Sequence, residues 1–134
     1  MAITKNRGRQ SPIEAYVDIT FADLAGNSGV SLVAIDVPVG AQLVGGDLVV
    51  NTAFNSATSD AITVGDITNA TRYLGSTTIA ALARTPLVPT GFQTTSTQPA
   101  VRVAWTGVGA IPTAGSIRLR VAYIQNKRAA FAQG

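Results

Sequence analysis

The stretch AQLVGGDLVVNTAFNSATSDAITVGD, residues 41–66, decides how this chain is interpreted. Its segment Leu48–Phe54 alternates in steps of two, as a half-buried β-strand does. The positions expected to face a core are Leu48, Val50, Thr52 and Phe54. A polar cluster over Asn55–Asp60 follows, and residues typical of a β-strand return over Ala61–Val64. The pattern predicts a β-hairpin whose loop side chains bond their own backbone.

The same alternation recurs on both sides of this stretch. Further strands are expected over Ile13–Phe21, Val30–Val37, Ala100–Thr106 and Ser116–Gln125. A bulge or bend is expected at Gly45-Gly46, because paired glycines interrupt a strand pattern. Residues 67–84 give no clear pattern, and Thr77–Leu82 suits a strand or a short helical turn equally well. Seven or eight short strands and no long helix predict an all-β protein, an antiparallel two-sheet β-sandwich that is jelly-roll-like.

The predicted strand Val30–Val37 is apolar on both faces. Such a strand is either central in a sandwich or covered by a partner. The chain of 134 residues is long enough for one domain. We expect a basic N-terminal arm over residues 1–12, the sandwich domain over 13–125 and a C-terminal tail over 126–134, so that extended arms flank the domain.

Composition excludes several kinds of site. The chain has no cysteine and no histidine, which rules out disulfides, a Cys or His zinc site and a Cys–His nucleophile pair. Charged residues make up 13%, about half the usual ~25%, a depletion typical of interface cores as well as of neutral β-proteins. The most apolar window, Val30–Val50, is interrupted by acids, proline and glycines and does not predict a membrane span.

Charge is divided unevenly along the chain. Residues 1–66 hold all seven acidic residues and three of the ten basic ones, while residues 67–134 hold seven basic residues and no acid. If this division persists in the fold, it favours self-association or docking on a charged surface.

Several segments resemble the decoration, or cement, proteins that coat the capsids of tailed bacteriophages. They are DVPVGAQLVGG (36–46), TAFNS (52–56), TSD (58–60), VGD (64–66), RYL (72–74), LVPTG (87–91) and PTAGSIRLRVAY (112–123). The resemblance implies a jelly-roll-like sandwich that catalyses nothing and binds no cofactor or metal. It implies a structural virion protein, made in the host cytoplasm, that stabilises the outer surface of the major capsid protein lattice. The partners expected are the major capsid protein and other copies of itself, as a homotrimer first and a homodimer second; a membrane is not expected.

The candidate partner-binding residues are basic, with one aromatic. They are Lys5, Arg7, Arg9, Arg118, Arg120, Lys127, Arg128 and Phe131. The basic side chains suit acidic residues of a capsid, or simply a solvated strand face. Nucleic acid is not favoured as a partner, because no RNP-like or helix-turn-helix pattern accompanies them. Phe131 lies in a polar tail, where it either remains in solvent or anchors the tail on a neighbour.

Two aspartates suggest a cation site. Asp60 and Asp66, with loop oxygens from Asn55, Thr58 and Ser59, offer ligands suited to calcium, but calcium needs six to eight oxygens and no EF-hand spacing is present. Hydrogen bonding within turns at the two ends of one strand is the favoured alternative.

Two other functional classes remain to be weighed. A carbohydrate-binding or host-attachment module of a phage head or tail fibre would need an exposed aromatic platform, whereas the single tryptophan, Trp105, alternates with core positions. A carboxylate hydrolase would need two converging carboxylates, and the seven acids stand singly in turns or on outer faces. We therefore expect no enzymatic activity, and we expect Trp105 in the core with a partner for its indole N–H.

Overall fold

The computed structural model describes residues 12–97 and 100–125. These contain one short helix, α1 (Phe21–Leu24), and eight strands. The strands are β1 (Ile13–Thr20), β2 (Ser31–Asp36), β3 (Ala41–Thr52), β4 (Ser59–Gly65), β5 (Leu74–Thr78), β6 (Arg84–Pro86), β7 (Ala100–Val108) and β8 (Ser116–Gln125). The N-terminal arm up to Ser11 and the tail from residue 126 lie outside the described residues.

The strands form two four-stranded sheets whose pairs are all antiparallel. Sheet A has the order β1-β8-β3-β6, and sheet B has the order β2-β7-β4-β5. Successive strands mostly change sheet, which is the winding of an eight-stranded jelly roll. The prediction of an all-β, jelly-roll-like sandwich is therefore confirmed.

Inward-facing side chains of both sheets form one core. Its most deeply buried members include Leu48, Ile62, Val101, Ile117 and Leu119, each at most 1% exposed. On β1 the expected alternation holds, because Ile13, Ala15, Val17 and Ile19 pack on the core while the residues between them are exposed. The alternation of apolar and polar residues in the sequence therefore identifies the core-facing side of β1 correctly.

The predicted hairpin between β3 and β4 is wrong. β3 belongs to sheet A and β4 to sheet B, so residues 53–58, here called the crossover, carry the chain from one sheet to the other. Phe54 is buried in the crossover at 2% exposure, and its amide donates to the Ile79 carbonyl at 3.0 Å. Two half-buried strands that follow each other along the chain can face each other across a core as easily as they can pair side by side in one sheet.

The core assignment of Thr52 is also wrong, because this residue is exposed. The β3–β8 register shifts between Val50 and Thr52, which changes the face of the strand. A second shift, between Leu43 and Gly45, confirms the bulge expected at Gly45-Gly46. At Gly46 φ is +143°, and a Cβ there would lie 2.2 Å from the Arg120 carbonyl oxygen, so only glycine fits.

β2 lies at the edge of sheet B, which excludes a central position for the doubly apolar strand. Ile35 and Val37 face the core, whereas Val30 is 46% and Val33 is 50% exposed. Leu32 and Ala34 pack against the core together with Ile35, because the register shifts between Val33 and Ile35, so Val33 is the outward apolar residue of β2. Cover by a partner stays a prediction.

The segment without a clear sequence pattern contains two short strands. β5 pairs with β4, and the three-residue β6 pairs with β3. Thr77 and Thr78 end β5, while the rest of Thr77–Leu82 belongs to no strand or helix. No helix within residues 12–97 and 100–125 is long and apolar enough to cross a membrane.

Candidate functional site

The outer face of sheet A carries a cluster of six charged side chains, here called the charged face. Its members are Glu14, Asp18, Asp47, Arg84, Arg118 and Arg120. They reach one surface because β1, β8, β3 and β6 are neighbours and the side chains alternate between sheet faces. Arg118 and Arg120 point outward as the sequence predicts, and every carboxylate they meet comes from elsewhere in the same chain.

Arg118 forms a two-pronged pair with Asp18, which lies directly opposite it on β1. Its Nε and Nη2 donate to Asp18 Oδ1 and Oδ2 at 2.8 and 3.1 Å. The guanidinium also stacks over the Tyr16 ring, 4.6 Å from the ring centroid. Both partners are about half exposed, so the pair is solvated and contributes little to stability.

Arg120 joins β1 to β3. Its Nη1 donates to Glu14 Oε1 at 2.6 Å, and its Nη2 donates to Asp47 Oδ2 at 3.0 Å. From β6, Arg84 Nε donates to the same Asp47 oxygen at 2.8 Å. Asp47 is only 6% exposed, so two guanidinium groups cover a carboxylate that has little access to water.

These contacts lower the pKa of two aspartates on the charged face. The hydrogen bond from Arg120 lowers the pKa of Asp47 below its ordinary value of 3.8; burial opposes the shift and Arg84 adds to it. The hydrogen bond from Arg118 lowers the pKa of Asp18 in the same direction. Both carboxyls are therefore held in the ionised form.

The uneven division of charge along the sequence does not survive as two charged halves. Each ion pair joins an acid of residues 1–66 to an arginine of residues 67–134, including a fifth pair between Asp66 and Arg72. The described residues hold seven acids and five arginines, so the chain's positive excess lies outside them. Lys5, Arg7, Arg9, Lys127, Arg128 and Phe131 are there, and their binding roles stay predictions.

Asp60 is 1% exposed and is held by neutral donors. Its Oδ1 accepts from Trp105 Nε1 at 3.0 Å and from Ser56 Oγ at 2.7 Å, and its Oδ2 accepts from the Ser56 amide at 2.9 Å. Trp105 is 4% exposed, so its expected place in the core is confirmed, and Asp60 is the partner of its indole N–H.

Asp66 closes a turn at the other end of β4. Its Oδ1 accepts from the amides of Thr68 and Asn69 at 3.0 and 2.8 Å, and its Oδ2 accepts from Arg72 Nε. Burial acts to raise the pKa of Asp66, but these donors outweigh it and lower the pKa.

The shared cation site is wrong, since Asp60 and Asp66 lie at opposite ends of β4, about 20 Å apart along an extended strand. The Asx turn predicted as the alternative is present at Asp66, and Asp60 likewise bonds the adjoining loop. Within residues 12–97 and 100–125 no group of three or more acidic side chains could hold a metal ion.

The aromatic side chains do not form a sugar platform on the described surface. Trp105, Tyr73, Tyr123 and Phe54 are buried, and Tyr16, which is 62% exposed, lies under the Arg118 guanidinium. Phe92 is similarly covered, because Arg72 stacks 3.7 Å from its ring centroid. The carbohydrate-binding alternative therefore has no support from this part of the chain.

Sequence reasoning missed two groups that organise these surfaces. Asp47 and Arg84 are 37 residues apart, and only the pairing of β3 with β6 brings them together. Asn55 links the crossover to the turn before β8, since its Oδ1 accepts from the amides of Thr113 and Ala114 at 2.8 and 3.2 Å. The one available signal for Asp47 was an acid directly beside a predicted core position, next to a glycine pair.

A scan against protein-family models finds no match, and no curated protein sequence matches significantly. Three solved structures share the fold. A chain of the cyanophage Pam1 capsid asymmetric unit is 25% identical, with a TM-score of 0.72 over 93% of both chains. A chain of the capsid of Ralstonia phage GP4 is 18% identical, with a TM-score of 0.63 over 94% of this chain and 91% of that one.

The third is a chain of the acid-stable capsid of the Helicobacter pylori bacteriophage KHP30. It is 20% identical, with a TM-score of 0.64 over 88% of this chain and 91% of that one. Each match spans nearly the whole of both chains. The likeness is therefore to a complete subunit fold found in phage capsids.

Proposed function

We propose that this chain is a structural protein of a phage virion and, more specifically, a decoration protein that binds the outer surface of the capsid. The observation that carries the proposal is the match to the cyanophage Pam1 capsid chain over 93% of both chains at a TM-score of 0.72. The fold likeness supports the broader part of the proposal, a phage capsid protein, over the full domain. The decoration role itself is taken from the sequence resemblance on short segments.

The chemistry of the described residues suits binding better than catalysis. Within the described residues, six carboxylates, all but that of Asp36, accept hydrogen bonds from arginines or from backbone and side-chain donors, which ties up groups that a general acid–base mechanism would use. Their hydrogen bonds fix the shape of turns and sheet faces. A subunit of this kind acts through contacts made only with the assembled lattice, which stabilise that lattice by mass action.

The finer parts of the proposal follow from the family resemblance. The main partner is the major capsid protein, and the subunits associate as a homotrimer, or failing that as a homodimer. The protein is made in the host cytoplasm and adds to the outside of the head. It requires no cofactor, and neither a membrane nor nucleic acid is among its partners.

The test is addition of the purified protein to mature phage heads that lack it. We expect saturable binding and a higher temperature of head disruption. The matched control is the unexpanded precursor shell, which presents the same capsid protein in another arrangement and should bind far less. Absence of binding to mature heads, measured by co-sedimentation, would remove the decoration role.

A further inference from the structure

The side of the sandwich formed by β1 and β2 is open. Among the described residues, β1 is the edge of sheet A and β2 is the edge of sheet B, so each strand has one side with no partner strand from that part of the chain. Between them lies a cavity of about 320 Å³, here called the edge groove. Its apolar lining includes Val17, Ile19, Leu24, Leu32, Val33 and Val103. Unpaired strand edges beside exposed apolar surface are places where another segment of chain can add.

The rim of the edge groove carries acidic side chains beside arginines of the neighbouring strands β7 and β8. Residues 12–40 contain Glu14, Asp18, Asp23 and Asp36 and no lysine or arginine. Asp18 and Asp23 line the groove itself. Glu14 and Asp18 are bound from the β8 side by Arg120 and Arg118, yet their side chains remain 61% and 51% exposed. Their other side faces the open edge of the sheet. A segment that fits this surface carries a large apolar side chain and positive charge.

Two segments outside the described residues combine apolar residues with positive charge and no acid, MAITKNRGRQS at 1–11 and NKRAAFAQG at 126–134. The second is the better fit, because it offers an aromatic side chain. Phe131 is its only large apolar residue, Lys127 and Arg128 are its charges, and it has no acid. Arg128 and Phe131 are three residues apart, so in an extended segment they point to opposite sides. With Phe131 directed into the edge groove, Arg128 is directed to the outer face, where Glu14 and Asp18 lie.

The geometry favours the tail of another copy over the chain's own tail. Ile13 pairs with Tyr123, so both ends of the described chain leave the sandwich side by side. To reach the outer side of β1, the chain's own tail would have to cross the chain where it enters β1 at Ile13, and connections that cross at one edge of a sheet are avoided. Nine extended residues span about 30 Å, which is long enough for a neighbour's tail to lie along β1.

We infer that the edge groove binds residues 126–134 of a second copy of this chain, with Phe131 as the apolar anchor. This deepens the self-association part of the proposed function. It also gives the exposed Val33 side chain of this edge strand an apolar partner, since a neighbour's tail would cover it.

The test uses the absence of cysteine from the natural chain. A Val33→Cys protein, altered at the groove, is mixed with an Ala129→Cys protein, altered on the Phe131 side of the tail, under mild oxidation. We expect a mixed disulfide dimer at least tenfold above the control mixture, in which Thr106→Cys on the exposed outer side of β7 replaces Val33→Cys. Adding Phe131→Ala to the tail variant should reduce the yield to the control level, whereas Phe131→Leu should retain most of it.

Three results would overturn the inference. The first is a mixed-dimer yield no higher than the control. The second is efficient disulfide formation within single molecules that carry both Val33→Cys and Ala129→Cys, measured at high dilution. That result would assign the groove to the chain's own tail. The third is linkage of Val33→Cys to Ile3→Cys instead, which would assign it to the N-terminal arm. The experiment contains no capsid, so its failure and a failure of head binding are separate findings.

Discussion

The crossover and the charged face both depend on a nearly buried aspartate, but they hold it by different means. Behind the crossover, Asp60 accepts hydrogen bonds from neutral donors on Ser56 and Trp105. On the charged face, Asp47 is covered by the guanidinium groups of Arg84 and Arg120. The first arrangement fixes the path of the chain between the two sheets, and the second ties three strands of one sheet together.

The difference predicts different responses to solution conditions. Buried hydrogen bonds from neutral donors such as Ser56 and Trp105 are little affected by salt, whereas ion pairs at a surface weaken as counter-ions screen them. The lowered pKa of Asp47 makes the charged face respond to acid as well. The crossover should therefore dominate the stability of the domain, and the charged face should adjust it with conditions.

The largest effect is expected in the crossover, from Phe54→Ala. Phe54 is 2% exposed and packs so closely on Gly115 that a Cβ there would lie 2.6 Å from its ring. Removing a buried phenylalanine side chain leaves a cavity, so the free energy of unfolding should fall by about 3–5 kcal/mol. Urea unfolding of the purified variant measures this.

Asn55→Ala is the matched control for Phe54→Ala. Asn55 is exposed, and its side chain bonds the turn at Thr113 and Ala114. Loss of such hydrogen bonds should cost about 1 kcal/mol. Equal losses at the two positions would show that the crossover is fixed by its turn contacts and not by the buried ring.

A smaller effect in the same region is expected from Asp60→Asn. Both carboxylate oxygens accept hydrogen bonds, so the amide nitrogen of asparagine must meet another donor, at Ser56 or at Trp105. An unsatisfied buried donor costs about 1–3 kcal/mol. The fluorescence of Trp105, the only tryptophan, should shift in the folded variant and can follow its unfolding. Stability within about 0.5 kcal/mol of the natural chain, well below that cost, would mean that Asp60 does not hold the crossover.

Local pattern accounts for what the sequence predicted correctly. The alternation on β1 and the bulge at Gly45-Gly46 need only neighbouring residues, and the sandwich follows from many short strands with no long helix. The deep position of Trp105 also follows from its place among alternating core residues. Each of these features depends on which face of a strand is buried, and that does not depend on which strand is paired beside it.

Pairing accounts for what the sequence could not predict. The hairpin was wrong because alternation does not say to which sheet a strand belongs. Thr52 was misplaced because a register shift in β3 depends on its partner β8. The Asp47–Arg84 pair needs β6, a three-residue strand too short to show any period. The sequence therefore indicated which charged side chains could form a site. Which of them contact one another depends on the strand pairing and its register, which only the structure shows.

The predicted effect that separates the two regions most directly is that of Asp47→Asn on the charged face. The asparagine keeps the shape but loses the charge, so charge-assisted hydrogen bonds from Arg84 and Arg120 weaken, at a cost of about 1–2 kcal/mol near neutral pH. Because the folded pKa of Asp47 is lowered, its contribution is present above about pH 4 and is lost as pH falls through that folded pKa.

Measured by urea unfolding from neutral pH downward into acid, the natural chain and the variant should therefore converge as Asp47 becomes protonated. Asp18→Asn, on the same face but half exposed, is the control and should change stability less, with the difference disappearing in high salt. A gap between Asp47→Asn and the natural chain that stays constant from neutral to acid pH would contradict the assignment. In that case Asp47 contributes through packing rather than through its charge, and the charged face would not differ in kind from the crossover.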